Sequence, residues 1–296
     1  MRKPRTLNFC CVLKMTAIVP VACAVLINEK GECLLGSRPE GKPFAGWWEF
    51  PGGKMEGAES IAQTVQRELK EELGLRVENC APWVTLVHTY PHATVKLHFA
   101  RSWDWQGEPR ALEGQKFGFF APGQWPDPLL KASEPIARWL SLPKHWLYLK
   151  TAQAVEKLKE GLHRHFDGAI VSAAVINHLD ALKPQLKALG VSEIWCDDTV
   201  ELEKMKQFDG VWVNDFTSVD SIEHERLAVP ADPASWAKAS DGRALWAHAS
   251  ANVRVGSSAW ARLLADNPVP VFLTNVKIDD ERLLRKHGAH GWVEVI

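Results

Sequence analysis

Residues 53–75 read GKMEGAESIAQTVQRELKEELGL. The run is a glycine turn leading into an amphipathic helix crowded with carboxylates. Ala62, Val65, Leu69 and Leu73 follow the i, i+3, i+4 rhythm of a buried stripe, and Gly74 supplies a helix-ending C-cap. At 100° per residue, Glu68, Glu71 and Glu72 fall within about 100° of arc on another side. Like charges at these spacings each cost a helix a few tenths of a kcal/mol, so three of them ask for a counter-charge. A hard divalent cation suits oxygen ligands, and Mg²⁺ bridges protein carboxylates to phosphates.

The same residues carry a resemblance. The pattern G-x5-E-x7-R-E-U-x-E-E-x-G-U, with U aliphatic, is the Nudix box, and Gly53, Glu59, Arg67, Glu68, Leu69, Glu71, Glu72, Gly74 and Leu75 match it at every fixed position. The resemblance implies an α/β fold, a Nudix α/β/α sandwich with a mixed sheet, that hydrolyses a nucleoside diphosphate linked to another moiety. It also implies that Glu59 and Arg67 brace loop to helix, while Glu68, Glu71 and Glu72 hold the metal.

The bulk composition narrows the classes. The chain has 296 residues, 46% hydrophobic and 24% charged, with a formal net charge of −1. That length accommodates two domains. The near-neutral balance gives no electrostatic footprint for duplex nucleic acid or an anionic membrane, and no obligate protein partner is implied. Cys10, Cys11, Cys23, Cys33, Cys80 and Cys196 form no C-x-x-C pair and read as reduced thiols in a cytoplasmic protein. Residues 1–14 begin basic and continue into a short apolar run broken by Lys14; they read as a disordered or mis-called extension, with Met15 an equally good start. No run reaches the ~18 apolar residues of a membrane helix.

In chain order, Val19 to Ile27 and Cys33 to Ser37 read as a hairpin. A Gly/Pro-rich loop then runs through Trp47, Trp48 and Glu49 to the box, where Gly52 and Gly53 permit close backbone approach. Trp83 to Tyr90, Thr94 to Trp103 and Phe117 to Ala121 read as strands, Glu134 to Leu142 as a short helix, and Pro143 as a boundary. Of the Trp47-Trp48 pair, one ring is suited to the core and the other either to the core or to stacking on a base.

Residues 17–142 look most like the MutT type of Nudix enzyme, which hydrolyses 8-oxo-dGTP to its monophosphate and pyrophosphate. The resemblance rests on Arg38, on Glu49-Phe-Pro-Gly-Gly-Lys54, on Glu113-Gly-Gln115 and on Glu134-Pro135. It implies that Arg38 and Lys54 contact phosphates, that Phe50 lies near the base, and that Glu113 reaches the metal from a distant loop and is one candidate to activate water. Gly52 and Gly53 join the metal- and substrate-binding turn, and the cofactor is Mg²⁺, with Mn²⁺ a substitute. The asparagine expected before Glu-Pro is Ser133 here; its single hydroxyl cannot present the paired donor and acceptor of an amide to a purine edge.

Beyond Pro143 a βα rhythm sets in, with strands near Trp146–Lys150, Gly168–Ser172, Glu193–Asp198, Gly210–Asp215, Ala244–Ala247, Val269–Thr274 and Gly291–Val295. Helical patterns cover Thr151–His165, His178–Leu189, Val200–Gln207, Ser258–Ala265 and Asp280–His287. Alternation of this kind implies a mostly parallel sheet covered by helices, and the length falls short of a usual eight-fold barrel, so a shortened barrel is expected. The order is similar to thiamine-phosphate synthase, although Leu273-Thr-Asn-Val276 replaces that family's Gly-Gly phosphate turn and its Gln-x-Arg-x-Lys strand is absent. The expected domains are a Nudix hydrolase over 15–143 and a thiamine-phosphate-synthase-like βα-repeat over 144–296. Asp197 and Asp198 end a strand where α/β ligands bind but read first as solvated turn residues, and the histidines, His163 and His165 included, as surface or core. Gly256-Ser-Ser258 lacks the second glycine of a nucleophile elbow.

The implied activity is Mg²⁺-dependent hydrolysis of a nucleoside triphosphate, with 8-oxo-dGTP foremost. Alternatives are another diphosphate (a dinucleotide, a nucleotide sugar or a thiamine-related pyrophosphate) and a non-catalytic nucleotide sensor.

Overall fold

The computed structural model describes residues 17–162, 164–215, 221–231, 244–250, 268–274 and 288–296. The extension at 1–14, Met15, His163, the Gly256-Ser-Ser258 turn and the helices expected at Ser258–Ala265 and Asp280–His287 lie outside them. The first part of the chain contains β1 (Val19–Leu26), β2 (Cys33–Ser37), β3 (Trp48–Glu49), β4 (Gly52–Lys54), α1 (Ile61–Leu73), β5 (Arg76–Val77), β6 (Ala81–Tyr90), β7 (Ala93–Ser102), β8 (Trp105–Gln106), β9 (Phe117–Phe120) and α2 (Glu134–Leu140).

Strands in the order β4-β1-β7-β6 make a mixed sheet, with β1 parallel to β7 and antiparallel to β4. Strand residues alternate faces, and β1 uses both. Ala22, Ala24 and Leu26 pack with Val65, Leu69 and Leu73 of α1. Cys23 and Val25 pack with Phe50, Phe99 and Ile136, Trp139 and Leu140 of α2. Helices therefore cover the two faces of a mixed sheet. The expected β1–β2 hairpin is corrected: after a single bridge at Ile27↔Cys33 the strands part, and β2 joins β3 and β9 in a second sheet. β7 runs along one edge of β1 over its whole length, and the other edge is engaged by β4 at Val21–Cys23 and by the Pro51 carbonyl at Ala24.

Helix α1 is fixed at both ends. Ser60 and Gln63 form a capping box, with Ser60 N donating to Gln63 Oε1 at 2.8 Å, and Gly74 ends the helix at φ 67°. Thr64 joins Val65, Leu69 and Leu73 in the buried stripe, whereas Ala62 is half-buried. Each fully buried Val or Leu contributes about 1.5–3 kcal/mol.

The remainder closes into a barrel of eight parallel strands: β10 (His145–Leu149), β11 (Gly168–Val171), β12 (Glu193–Asp197), β13 (Val211–Trp212), β14 (Leu227–Pro230), β15 (Ala244–Ser250), β16 (Val271–Thr274) and β17 (Gly291–Val295). β17 pairs back onto β10. The expected shortened barrel is thus a closed one. Its eighth strand is β14, between β13 and β15, which the sequence did not suggest and whose four residues end in a proline. Very short strands, such as the two residues of β13, let eight fit in so few residues. The described residues also contain α3 (Ala152–Glu160), α4 (Ala173–Ile176), α5 (Leu179–Ala188) and α6 (Leu202–Met205), all between β10 and β13. Indoles pack together in the barrel core: Trp146, Trp195 and Trp246 lie with ring centroids 5.3–5.4 Å apart. Gly168 and Gly210 make room, since a Cβ at either would overlap the Trp146 or Trp195 ring.

The two parts share one apolar core. Trp83 of β6 stacks on His290 at 5.4 Å and meets Trp139 edge-on, and Arg101 of β7 lies over the Trp83 ring and donates from Nη2 to the Ala289 carbonyl at 2.5 Å. Among the described residues no helix is long and apolar enough to cross a membrane.

Candidate active site

Arg67 is the hub of the helix α1 acids. Its Nε and Nη2 donate to Glu59 at 2.9 and 3.0 Å, and Nη2 also reaches the Lys54 carbonyl at 2.9 Å. Its Nη1 donates to Glu68 at 2.8 Å and to Glu71 at 3.3 Å. The guanidinium beside Glu59, with the Glu56 N–H and the Thr64 hydroxyl, pulls that carboxyl down to about 2, so Glu59 stays ionised and ties loop to helix. Gly53 lies directly against the Glu68 carboxylate, which a Cβ there would overlap, and a Cβ at Gly52, whose φ is 146°, would strike the Ala22 backbone. These two glycines bring β4 against both β1 and the helix.

Glu72 points elsewhere. It lines a cleft with Glu49, Glu113, Gln115, Lys42 and Gly52. The loop carrying Glu113 is stitched to the end of α1: Arg110 N donates to Leu73 O at 2.9 Å, Leu112 N to Glu72 O at 3.0 Å, and Gln115 Nε2 to Glu72 O at 2.8 Å. The carbonyls left over at a helix C-terminus are thereby used to hold a distant acid beside Glu72. Glu113 N in turn donates to Gln115 Oε1 at 2.9 Å. Burial, reinforced by the negative charges of Glu68, Glu113 and Glu49, pushes Glu72 up to about 8. Glu49 is raised too, by burial that the Arg38 guanidinium only partly offsets.

Arg38 donates from Nη1 to both Glu49 oxygens, at 2.7 and 2.8 Å, and from Nε to Pro43 O at 2.6 Å. Its guanidinium is engaged with Glu49 and the loop. Lys42, from the same loop, reaches Glu113 at 3.0 Å. Lys54 is exposed on β4. Phe50, expected near the base, is 2% exposed and packed edge-on to Phe99 and Trp125. Strand alternation explains it: Glu49 faces the cleft, so its neighbour faces the core. Ser133 is likewise buried, at the start of α2. Trp48 packs on Phe120, and Trp47 lies beside Phe44.

The aromatic surface near Arg38 was not read from the sequence. Phe44, held at φ 60°, meets Tyr90 at 5.7 Å, and Tyr90 stacks on His92. No sequence periodicity links these residues; only the pairing of Tyr90 with Ala93 across the β6–β7 turn and the path of the loop bring them together.

Among the described residues no group of three or more His, Cys, Asp or Glu is arranged around one ion position. The donor set still fits a hard divalent cation. It is carboxylate oxygen throughout, and Glu72 is raised by burial and then by acidic neighbours whose charge a cation would offset. Glu68 and Glu71, expected as ligands beside Glu72, are both bonded to Arg67. At the C-terminal ends of the barrel strands Asp197, expected as a solvated turn residue, is 1% exposed. It accepts from the Tyr148 hydroxyl at 2.5 Å and from Thr199, because strand β12 ends inside the ring rather than in a surface turn.

A NUDIX domain profile matches residues 18–141. An 8-oxo-dGTP diphosphatase of Haemophilus influenzae is 38% identical over 103 residues, covering 35% of this chain and 75% of the relative. An 8-oxo-dGTP diphosphatase of Escherichia coli is 32% identical over 123 residues, covering 39% of this chain and 91% of the relative. A CTP pyrophosphohydrolase of Escherichia coli is 46% identical over 63 residues, covering 21% of this chain and 44% of the relative. With every fixed position of the box occupied, the chain belongs to the Nudix family and is a hydrolase of phosphoric anhydrides.

Proposed function

We propose that the chain is a Mg²⁺-dependent nucleoside triphosphate pyrophosphohydrolase whose substrate is 8-oxo-dGTP, released as 8-oxo-dGMP and pyrophosphate. The observation that carries the reading is the helix-end cleft in which Glu72 and Glu113 stand together, joined through Gln115. Two relatives named 8-oxo-dGTP diphosphatase support the choice of substrate. Glu68, Glu71, Glu72 and Glu113, with the Gly52 turn, would hold Mg²⁺ or Mn²⁺. Such an ion offsets the charge that develops on a leaving pyrophosphate. Arg67 and Glu59 hold the acids in place, and Glu113 or a box glutamate takes the proton from the attacking water. Arg38 steadies phosphate oxygens with a two-pronged guanidinium, once these replace Glu49 as its partner. Phe44, Tyr90 and His92 give the base a stacking surface.

We place the boundary between the hydrolase and a second domain at Pro143, as 15–143 and 144–296. The eight parallel strands support a kinship of the second domain with thiamine-phosphate synthase. They also keep a second substrate class, a thiamine-related pyrophosphate, in the test. The experiment is a panel of 8-oxo-dGTP, dGTP, CTP, dinucleotides, nucleotide sugars and thiamine pyrophosphate with Mg²⁺, comparing wild type and Glu72→Gln. Turnover of 8-oxo-dGTP no faster than of dGTP removes the substrate assignment. Cleavage of none leaves the sensor reading.

A further inference from the structure

Lys42 belongs to no box position. Its loop is closed on itself: Arg38 N donates to Trp47 O at 2.8 Å, and Gly46 N donates to Arg38 O at 2.9 Å. The Pro43 carbonyl is fastened to Arg38 Nε, and Phe44 rests on Tyr90. The loop therefore holds Lys42 at a fixed place on the cleft rim, where its Nζ meets Glu113 Oε2 at 3.0 Å. Glu113 is equally anchored, through Gln115, to the end of α1. The contact joins two loops across the mouth of the cleft containing Glu72 and Glu49. Among the described residues lining that cleft, Lys42 is the cation. Arg38 is tied to Glu49 and Pro43, whereas Lys42 and Glu113 retain 50% and 43% of their side-chain exposure. An ion pair that exposed is worth about 0–1 kcal/mol, so it opens at little cost when better partners arrive.

We propose that Lys42 is a substrate-positioning residue that guards Glu113: in the free protein its ammonium neutralises Glu113, and when a polyphosphate enters it moves onto phosphate oxygens and leaves the carboxylate to a divalent cation. A lysine is suited to the exchange because its ammonium is a point charge on a flexible stem, able to turn between two acceptors. The proposal rests on the reading of this cleft as the polyphosphate site. It adds that the loop carrying Lys42 links base side to phosphate side, since Phe44 sits two residues from the guard.

The test uses the full chain with Lys42→Gln and Lys42→Arg. Mn²⁺ binding is followed by electron paramagnetic resonance without nucleotide, and steady-state hydrolysis is followed with dGTP. For Lys42→Gln, Mn²⁺ binds about two- to fivefold more tightly, because Glu113 is no longer neutralised. KM for dGTP rises roughly tenfold, as expected for a charge-assisted bond removed, and kcat falls by much less. Lys42→Arg restores KM. An unchanged Mn²⁺ affinity together with an unchanged KM overturns the proposal and leaves a surface ion pair. A loss of kcat at constant KM overturns it as well. Should the wild type cleave no nucleoside triphosphate, the functional reading fails, and the Mn²⁺ titration alone still decides whether Lys42 guards Glu113.

Discussion

Replacing Glu72 with Gln should stabilise the protein at high pH when no divalent cation is present. The carboxyl moves from 4.5 to about 8 on folding, chiefly through burial and then through Glu68, Glu113 and Glu49. The native state thus holds this proton more tightly than the unfolded chain. The associated stability is complete below about pH 4.5 and is lost as pH rises through about 8. At roughly 1.4 kcal/mol per pH unit the ceiling is about 5 kcal/mol, and solvent in the open cleft reduces it to about 2–3 kcal/mol. Glutamine does not titrate and escapes the loss. The assay is urea unfolding followed by tryptophan fluorescence in EDTA from pH 5 to 9. The two proteins should nearly coincide at pH 5, and the variant should gain about 2–3 kcal/mol over the wild type by pH 9. Excess Mg²⁺ should erase or reverse the gain, because it restores the counter-charge the glutamine cannot use. Parallel profiles in EDTA across the whole range would refute the account of Glu72 as a carboxyl starved of positive charge.

Three further changes separate activity from stability. Gly53→Ala places a Cβ where the Glu68 carboxylate lies; the side chain swings aside, so hydrolysis of dGTP should fall at least about tenfold while the melting temperature moves by less than about 4 °C, and retained activity would show that the Glu68 position is not needed. Trp83→Ala empties a fully buried site between Trp139, Arg101 and His290. The loss of about 3–5 kcal/mol should lower the melting of the hydrolase part and the barrel together in calorimetry, and a shift confined to one would deny the shared core. Tyr148→Phe removes a hydroxyl bonded to buried Asp197; a cost of about 1–3 kcal/mol should appear in urea unfolding with hydrolysis untouched, and a loss of hydrolysis would mean that the barrel ends act on the cleft.

What the sequence made legible was what is local. The α1 helix, its buried stripe and its Gly74 cap lie within one run of residues, and a helix period suffices to write them down; the contact of Arg67 with Glu59 came with the family resemblance, and the Ser60 capping box only with the structure. Strands β6 and β7 were legible because they are long and joined by a tight turn. Elements defined by partners distant in sequence were not. β14 is four residues ending in Pro230, too short to carry a period, and exists because β13 and β15 flank it. β1 and β2 looked like a hairpin because the turn between them is polar, but the choice of sheet was made by β7 and β9. In the cleft, Glu113 could be nominated by resemblance. Lys42 and Phe44 could not, since their partners Glu113 and Tyr90 are brought to them by the fold. The burial of Phe50 was not legible because the register of β3 and β4 was unknown, and register decides which of two neighbours is buried.

The way the barrel is mounted bears on what each part of the chain is free to do. Lys144 precedes β10, and Ala289 and His290 precede β17, so the contacts of Ala289 and His290 with Arg101 and Trp83 are made by the N-terminal rim of the barrel. In barrels of parallel strands that rim serves stability, while chemistry gathers at the C-terminal ends. Here those ends carry Tyr148, Asp197, Asp198 and Asn214 in one hydrogen-bonded group, and His248, stacked on Trp212 at 3.7 Å, bonds to the Val213 carbonyl at 2.9 Å. Docking by the opposite rim leaves this group out of the junction with the hydrolase. It also fixes Arg101, and with it β7, which runs beside β1 in the sheet supporting α1. The described contacts between the barrel and the sheet carrying α1 are thus packing and hydrogen bonds at Trp83 and Arg101. That placement is why Trp83 should matter to both parts and Tyr148 to only one.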